Sequence, residues 1–350
     1  MKITEMLVRE DFYTINKKTL DSYFCNKNAE TKLYIYPLFS AIVTKRPGKK
    51  VVEYLKTEFS LASKNIIKKL LVKISLILSM RTLGLLSSRR VTVSSCIKNN
   101  VLIYPCNKKY RIFDFDTGIV TVVLKDGFSN RSIKNEIMFR TKPNLPSFIP
   151  ELIESFENGY SERIIDGKPL ARLNAFEYKE QAYSLFSSTL LTSINKNASD
   201  YLAFLAKEIM IMPLTSQLIK EKSFSIASIA ERYSKHVKGE VVIGFSHGDL
   251  QPGNIWIENK TNKIYIIDWE SCGIRSNYYD KAVLFDKLRP GPIDNYIHKN
   301  INTFEKTIVL LEDVVFRLNE SNEVLTNNSS IIFEYLSKVE SFLRNLQNEE

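Results

Sequence analysis

The sequence predicts an α+β chain in two lobes, a small β-rich one followed by a larger helical one, with an additional region ahead of both. Three patterns carry this reading. Apolar stretches of strand length, 110–115 and 119–125, flank Asp116-Thr117-Gly118, a hairpin signal. Helical apolar periodicity fills 182–194, 201–211 and 224–233, and 293–348 reads as two or three amphipathic helices. A second hairpin pattern, Ile255-Trp256-Ile257 and Ile264-Tyr265-Ile266-Ile267 around a polar turn at 258–263, lies between those helical stretches. The expected division is 1–98 for the additional region, 99–163 for the small lobe and 164–350 for the large one.

Taking the chain in order, the first region holds an aromatic and apolar run at 33–42 broken by Pro37, which fits an edge strand or a docking segment. The basic cluster 45–50 around Pro47-Gly48 is a turn. In 64–86, Ile67, Leu70, Leu71, Ile74, Ile77 and Leu78 follow helical spacing, with Lys64, Lys68, Lys69 and Lys73 expected on the other side. A spanning helix needs ~20 apolar residues with few charges, so this segment does not cross a membrane. Two readings stay open: the stripe packs on the rest of the protein, or it lies on an anionic membrane helped by Arg81, Arg89 and Arg90.

Composition bounds the function. The 350 residues are 44% hydrophobic and 25% charged, ordinary for a globular protein. Cys25, Cys96, Cys106 and Cys272 form no CxxC pair, and His236, His247 and His298 are too dispersed for a zinc site. With no apolar core in its N-terminal residues, the chain reads as cytoplasmic, or as peripheral at the inner face of a membrane through 64–90. The net charge is +10, yet residues 1–100 alone hold 19 Lys+Arg and 7 Asp+Glu, a net of +12. The remainder is therefore at −2. That division argues against nucleic acid as a partner and for an anionic surface meeting the N-terminal region.

The chemistry concentrates in 245–274, FSHGDLQPGNIWIENKTNKIYIIDWESCGI. His247, Asp249 and Asn254 precede the first strand of the hairpin, and Asp268 and Glu270 follow the second. A hairpin brings its two ends together, so Asp249, Asn254 and Asp268 are expected to converge. Two carboxylates and an amide oxygen are hard donors of the kind Mg²⁺ takes beside a phosphate. A further carboxylate there can accept a hydroxyl proton.

His-Gly-Asp-x-x-x-x-Asn followed by Ile-Asp-Trp-Glu resembles the aminoglycoside phosphotransferase and choline kinase family, a branch of the protein-kinase-like fold. The resemblance implies ATP and Mg²⁺ as cofactors. Asp249 would orient the acceptor hydroxyl and take its proton, while Asn254 and Asp268 would hold the metal. Lys125, which closes VTVVLK, is similar to the strand lysine that contacts the nucleotide phosphates, and Glu136 to the glutamate that pairs with it. Asn107 matches an asparagine often found in the phosphate-covering loop, though YPCNKK at 104–109 lacks the usual glycine. Residues 160–170, YSERIIDGKPL, resemble the hinge, so backbone groups of Glu162, Arg163 and Ile164 would read the base, with GTP not excluded. His247 is expected to fix the loop by backbone hydrogen bonds, and Asp280 to bond the loop backbone from below.

The activity implied is phosphorylation of a hydroxyl on a small molecule or a glycan, a membrane-proximal or lipid-linked acceptor included. Gln251 stands where protein kinases carry a lysine and choline kinases a glutamine. Trp256, Trp269, Tyr278 and Tyr279 are aromatic faces a quaternary amine could meet, or ordinary core. A protein kinase of the same fold and a nucleotide-binding scaffold without turnover are the alternatives.

Overall fold

The structure is a computed structural model. It describes residues 17–24, 29–60, 66–81, 87–106, 108–173, 176–190, 193–289, 292–323 and 329–349. Asn107 therefore lies outside the described residues, as do Lys64 and part of 82–90. Two compact units are present: 1–173 with 256–266, and 174–255 with 267–350. The observed class is α+β, one unit built on a sheet and the other mostly on helices.

The first unit is organised by an eight-stranded sheet in the order β3-β1-β2-β4-β5-β6-β8-β7. Its strands are β1 (Thr31–Tyr36), β2 (Ala41–Thr44), β3 (Arg89–Val93), β4 (Val101–Pro105), β5 (Lys109–Asp114), β6 (Ile119–Leu124), β7 (Leu152–Phe156) and β8 (Gly159–Arg163). The Asp116-Thr117-Gly118 turn sits where its residues predict, between β5 and β6, with Asp114 opposite Ile119. Pro37 ends β1 in a single 3₁₀ turn, Pro37–Phe39, before β2 returns antiparallel. Residues 31–93 thus extend the same sheet as 101–163, since Ile42 of β2 pairs with Ile103 of β4. The sheet buries Leu33, Ile35, Ile42, Ile103, Tyr110 and Ile112 in one cluster. On another cluster, α2 (Lys49–Ser60) and α3 (Ile66–Arg81) lay Val51, Leu55, Leu76 and Met80 against Tyr34, Tyr36 and Leu102. Helix α1 (Lys17–Tyr23) places Leu20 in the first cluster. Helix α4 (Arg131–Arg140) buries Ile133 with Val122, Leu124 and Tyr160.

The second hairpin also counts with this unit. β9 (Gly167–Pro169) pairs with β12 (Ile255–Glu258), which neighbours β13 (Ile264–Ile266). Gly167 is required there, because a Cβ would stand 2.4 Å from the carbonyl oxygen of Ile257.

The second unit holds α5 (Phe176–Leu190), β10 (Ile194–Asn197), α6 (Ala198–Ile211), α7 (Gln217–Ser234), β11 (Glu240–Ser246), β14 (Gly273–Ser276) and α8 (Asn277–Phe285). After these come α9 (Ile293–Ile297), α10 (Thr303–Glu323) and α11 (Ser329–Glu349). Its core joins α6, α7, α8, α10 and α11 through residues such as Leu202, Ile226, Val283, Leu311 and Leu336. Ile194, expected at the end of a helix, begins β10 instead and pairs with Ile243. Local periodicity loses there to the edge of a sheet. Among the described residues no helix is long and apolar enough to cross a membrane.

Candidate active site

The loop between β11 and β12 carries the motif, and its backbone is tied from several sides. Asp280 accepts from the backbone N–H of His247 (2.8 Å) and of Gly248 (3.0 Å), the anchoring expected of it. His247 is fully buried. Its Nδ1 accepts from the N–H of Asp249 (3.2 Å), so the ring proton sits on Nε2 and goes to the carbonyl of Ile267 (3.0 Å). The ring holds the start of the loop to the residue before Asp268, and Trp269 packs 4.4 Å from it. Gly248 has φ +81°, and a Cβ there would stand 2.2 Å from the carbonyl oxygen of Ser271, so only glycine fits.

Asn254 and Asp268 are brought together by one backbone bond, Ile267 N–H to the carbonyl of Asn254 at 2.9 Å. Asp268 itself takes the left-handed conformation, φ 71° and ψ 56°, uncommon for a side-chain-bearing residue. The Asn254 amide nitrogen gives both hydrogens to Asp249, one to its carbonyl (2.8 Å) and one to Oδ2 (3.1 Å). That leaves the Asn254 side-chain oxygen as its remaining acceptor. Among the described residues no group of three or more His, Cys, Asp or Glu side chains could hold a metal ion. Mg²⁺ keeps waters and phosphate oxygens as its other ligands and needs no all-protein cage, so the donor types of Asn254 and Asp268 fit it.

The Asp249 carboxylate is held at both oxygens. Oδ2 accepts from Gln251 Nε2 (2.9 Å) as well as from Asn254, and Oδ1 accepts from Arg289 Nη1 (3.3 Å). Arg289 was not legible as a site residue. Buried, it also donates to the carbonyl of Gly248 (2.9 Å) and to the Tyr279 hydroxyl, pairs with Asp313 (3.2 Å), and stacks 3.6 Å over Phe316. Asp313 in turn accepts from Tyr279 (2.9 Å), Tyr335 (2.7 Å) and Arg317 (2.7 Å). Burial pushes the Asp313 pKa up, but Arg317 and Arg289 outweigh it and hold the carboxyl below its ordinary value.

On the first unit, Lys125 is buried just past β6. Its ammonium donates to the carbonyl of Cys106 (2.6 Å) and lies 5.0 Å over the Tyr110 ring. Burial lowers its pKa to about 8, with Cys106 opposing. The expected pairing with Glu136 is not formed. Glu136 accepts from Arg140 (3.1 Å) and Tyr160 (2.8 Å), and its other oxygen is a buried acceptor with no hydrogen-bond partner. The reason is Arg140, four residues on along α4, whose fork also reaches Glu162 (2.6 Å) and the carbonyl of Pro150 (2.5 Å). Glu162 thus buries its side chain against Arg140. Ile164 spends its N–H on the carbonyl of Gly118 (2.9 Å), while Arg163 is exposed. Of the aromatic faces, Trp269 and Tyr279 are core, and Trp256 and Tyr278 are partly buried.

Residues 134–289 match the choline/ethanolamine kinase family model. The resemblance carried by the HGDLQPGN motif holds over that stretch, just under half of the chain. "Probable choline kinase 3" of Arabidopsis thaliana is 44% identical over 54 residues, which is 15% of this chain and 16% of that protein. The aligned part of the chain thus spans about a sixth of the curated relative's length. Among solved structures, Plasmodium vivax ethanolamine kinase is similar at 11% identity and TM-score 0.43, over 85% of this chain and 94% of that one. Choline kinase LicA from Streptococcus pneumoniae is similar at 12% identity and TM-score 0.39, over 71% of this chain and 91% of that one.

Proposed function

We propose that the protein transfers the γ-phosphoryl group of ATP to a hydroxyl of a small molecule, in the manner of the choline/ethanolamine kinase family that residues 134–289 match. The observation that carries the reading is the oriented carboxylate of Asp249, gripped by Gln251, Asn254 and Arg289 on a loop anchored by Asp280 and His247. Fixing both oxygens aims the carboxylate at one place, where it orients the acceptor hydroxyl and takes its proton. Asn254 and Asp268 would hold Mg²⁺, which supplies charge neutralisation on the phosphate oxygens when bound. Lys125 is assigned to the nucleotide phosphates. Adenine is read by the chain around Glu162, Arg163 and Ile164, with Ile164 already engaged by Gly118. The finer acceptor, a glycan or a lipid-linked molecule at a membrane surface, is supported by the basic excess of the first hundred residues.

One observation favours a scaffold without turnover. Glu136 is engaged by Arg140 and Tyr160 and leaves Lys125 on the carbonyl of Cys106. Turnover against a panel of amino-alcohols, sugars and glycolipids separates the two readings. Within the kinase reading, Asp249→Asn keeps the shape and loses the proton acceptor. It is expected to bind Mg-ATP like the parent while kcat falls by roughly 10²–10⁴. Asp268→Ala is expected to lose Mg²⁺-dependent nucleotide binding itself. Full turnover in the first variant, or unchanged binding in the second, overturns the assignment.

A further inference from the structure

Helix α3 is the motif that phosphotransfer leaves unused. One side of it is spent on the core: Leu76 and Met80 are buried beside Val51 and Leu55, and the carbonyl of Ser79 accepts from the Tyr36 hydroxyl (3.0 Å). The other side is not. Leu70, Leu71, Ile74 and Leu78 are 58%, 60%, 45% and 52% exposed. At 3.6 residues per turn these four fall within about 100° of the helix circumference, so they form one stripe. Arg81 is exposed and falls inside the same arc, and exposed Lys73 flanks it. Four large apolar side chains aligned in water mark a surface that meets something.

Charge says what it meets. From Phe59 to Phe113 the chain has no Asp or Glu and 11 Lys or Arg. Beside the stripe, a cleft of about 380 Å³ opens with Lys49, Lys56 and Arg81 on its wall and Glu53 as its acidic member. A second copy of the chain would bring the same positive surface against itself, and a neutral apolar groove would leave the cations without a counterpart. An acyl layer capped by anionic phosphates satisfies both.

We propose that α3 lies along an anionic lipid surface, with Leu70, Leu71, Ile74 and Leu78 in the headgroup–acyl boundary and Lys73 and Arg81 on lipid phosphates. The contact rests on no step of the phosphotransfer reading, so either can fail alone. The test is sedimentation of the full chain with vesicles of phosphatidylcholine and of phosphatidylcholine mixed with phosphatidylglycerol. The expected result is binding to the mixed vesicles that falls steeply at 1 M salt, where screening shortens to ~3 Å. The variant L70S/L71S/I74S/L78S should bind roughly tenfold more weakly or worse, with a melting curve like the parent's because these side chains are exposed. If that variant melts early, Lys73→Glu with Arg81→Glu decides, and it should lose the preference for anionic vesicles. No binding, equal binding to both vesicle types, or unchanged binding by both variants overturns the proposal. So does a dimer in sedimentation velocity that the serine variant dissociates.

Discussion

Replacing Arg289 with methionine removes a charge and a five-donor fork while keeping an apolar stem of similar length, and two effects should be separable. The first is on stability. Asp313, fully buried, loses one of its two guanidinium partners but keeps Arg317 and the hydroxyls of Tyr279 and Tyr335. Breaking a buried pair ordinarily costs about 3–5 kcal/mol, and the surviving partners put this case near the lower end, about 3 kcal/mol. The second effect is on the reaction. Asp249 loses the donor to Oδ1 while Gln251 and Asn254 still hold Oδ2, and the carbonyl of Gly248 loses its side-chain donor. A hydrogen bond to a charged group is worth about 1.5–3 kcal/mol, so kcat should fall by roughly 10- to 100-fold. Urea denaturation and steady-state kinetics at a temperature where the variant is folded read the two separately. Arg289→Lys should fall between, because one ammonium cannot reach Asp249, Gly248, Tyr279 and Asp313 in the geometry of the fork. A methionine variant with parental stability and parental kcat would refute the clamp.

Other outcomes follow from the same geometry. The Lys125 pKa of about 8 in the free protein means its charge is present below that pH and lost above it. Mg-ATP affinity should therefore be flat below about pH 8 and weaken by up to tenfold per unit above it, as titration calorimetry would show. A dependence that survives in Lys125→Met places the titrating group elsewhere. Glu136→Gln and Arg140→Met should couple by about 1–3 kcal/mol in a double-mutant cycle of unfolding free energies, whereas Glu136→Gln and Lys125→Met should add within about 0.5 kcal/mol. Additivity in the first cycle would mean the Glu136–Arg140 contact is idle. Gly248→Ala should destabilise by about 3 kcal/mol or more, since it meets both a positive φ and the carbonyl of Ser271. An unchanged denaturation midpoint would show that the loop relaxes freely.

The sequence by itself determined whatever depends on neighbours along the chain. Turn chemistry placed the β5–β6 hairpin at Asp116-Thr117-Gly118, and Pro37 placed the break between β1 and β2. The spacing of His247, Asp249 and Asn254 on a single loop made His247's backbone-holding role and the nearness of Asp249 to Asn254 readable, because a few residues of backbone limit where such side chains can go. Partner choice across distance was decided only by the tertiary structure. Arg289 lies 40 residues from Asp249, and nothing local marks it; packing against Phe316 and Tyr279 aims it. Glu136 and Arg140 sit at i and i+4, a signal the sequence carried, yet only Lys125 was expected to meet the carboxylate. The pairing of β6 with β8 put Tyr160 and Glu162 on the side of Arg140 and settled it. Helical spacing in α3 drew one apolar stripe through Leu70, Leu71, Ile74 and Leu78, but apolar residues outside it, Leu76 and Met80, were as able to face the core. Contact with α2 and the sheet chose Leu76 and Met80, and for that reason Leu70, Leu71, Ile74 and Leu78 were left in water.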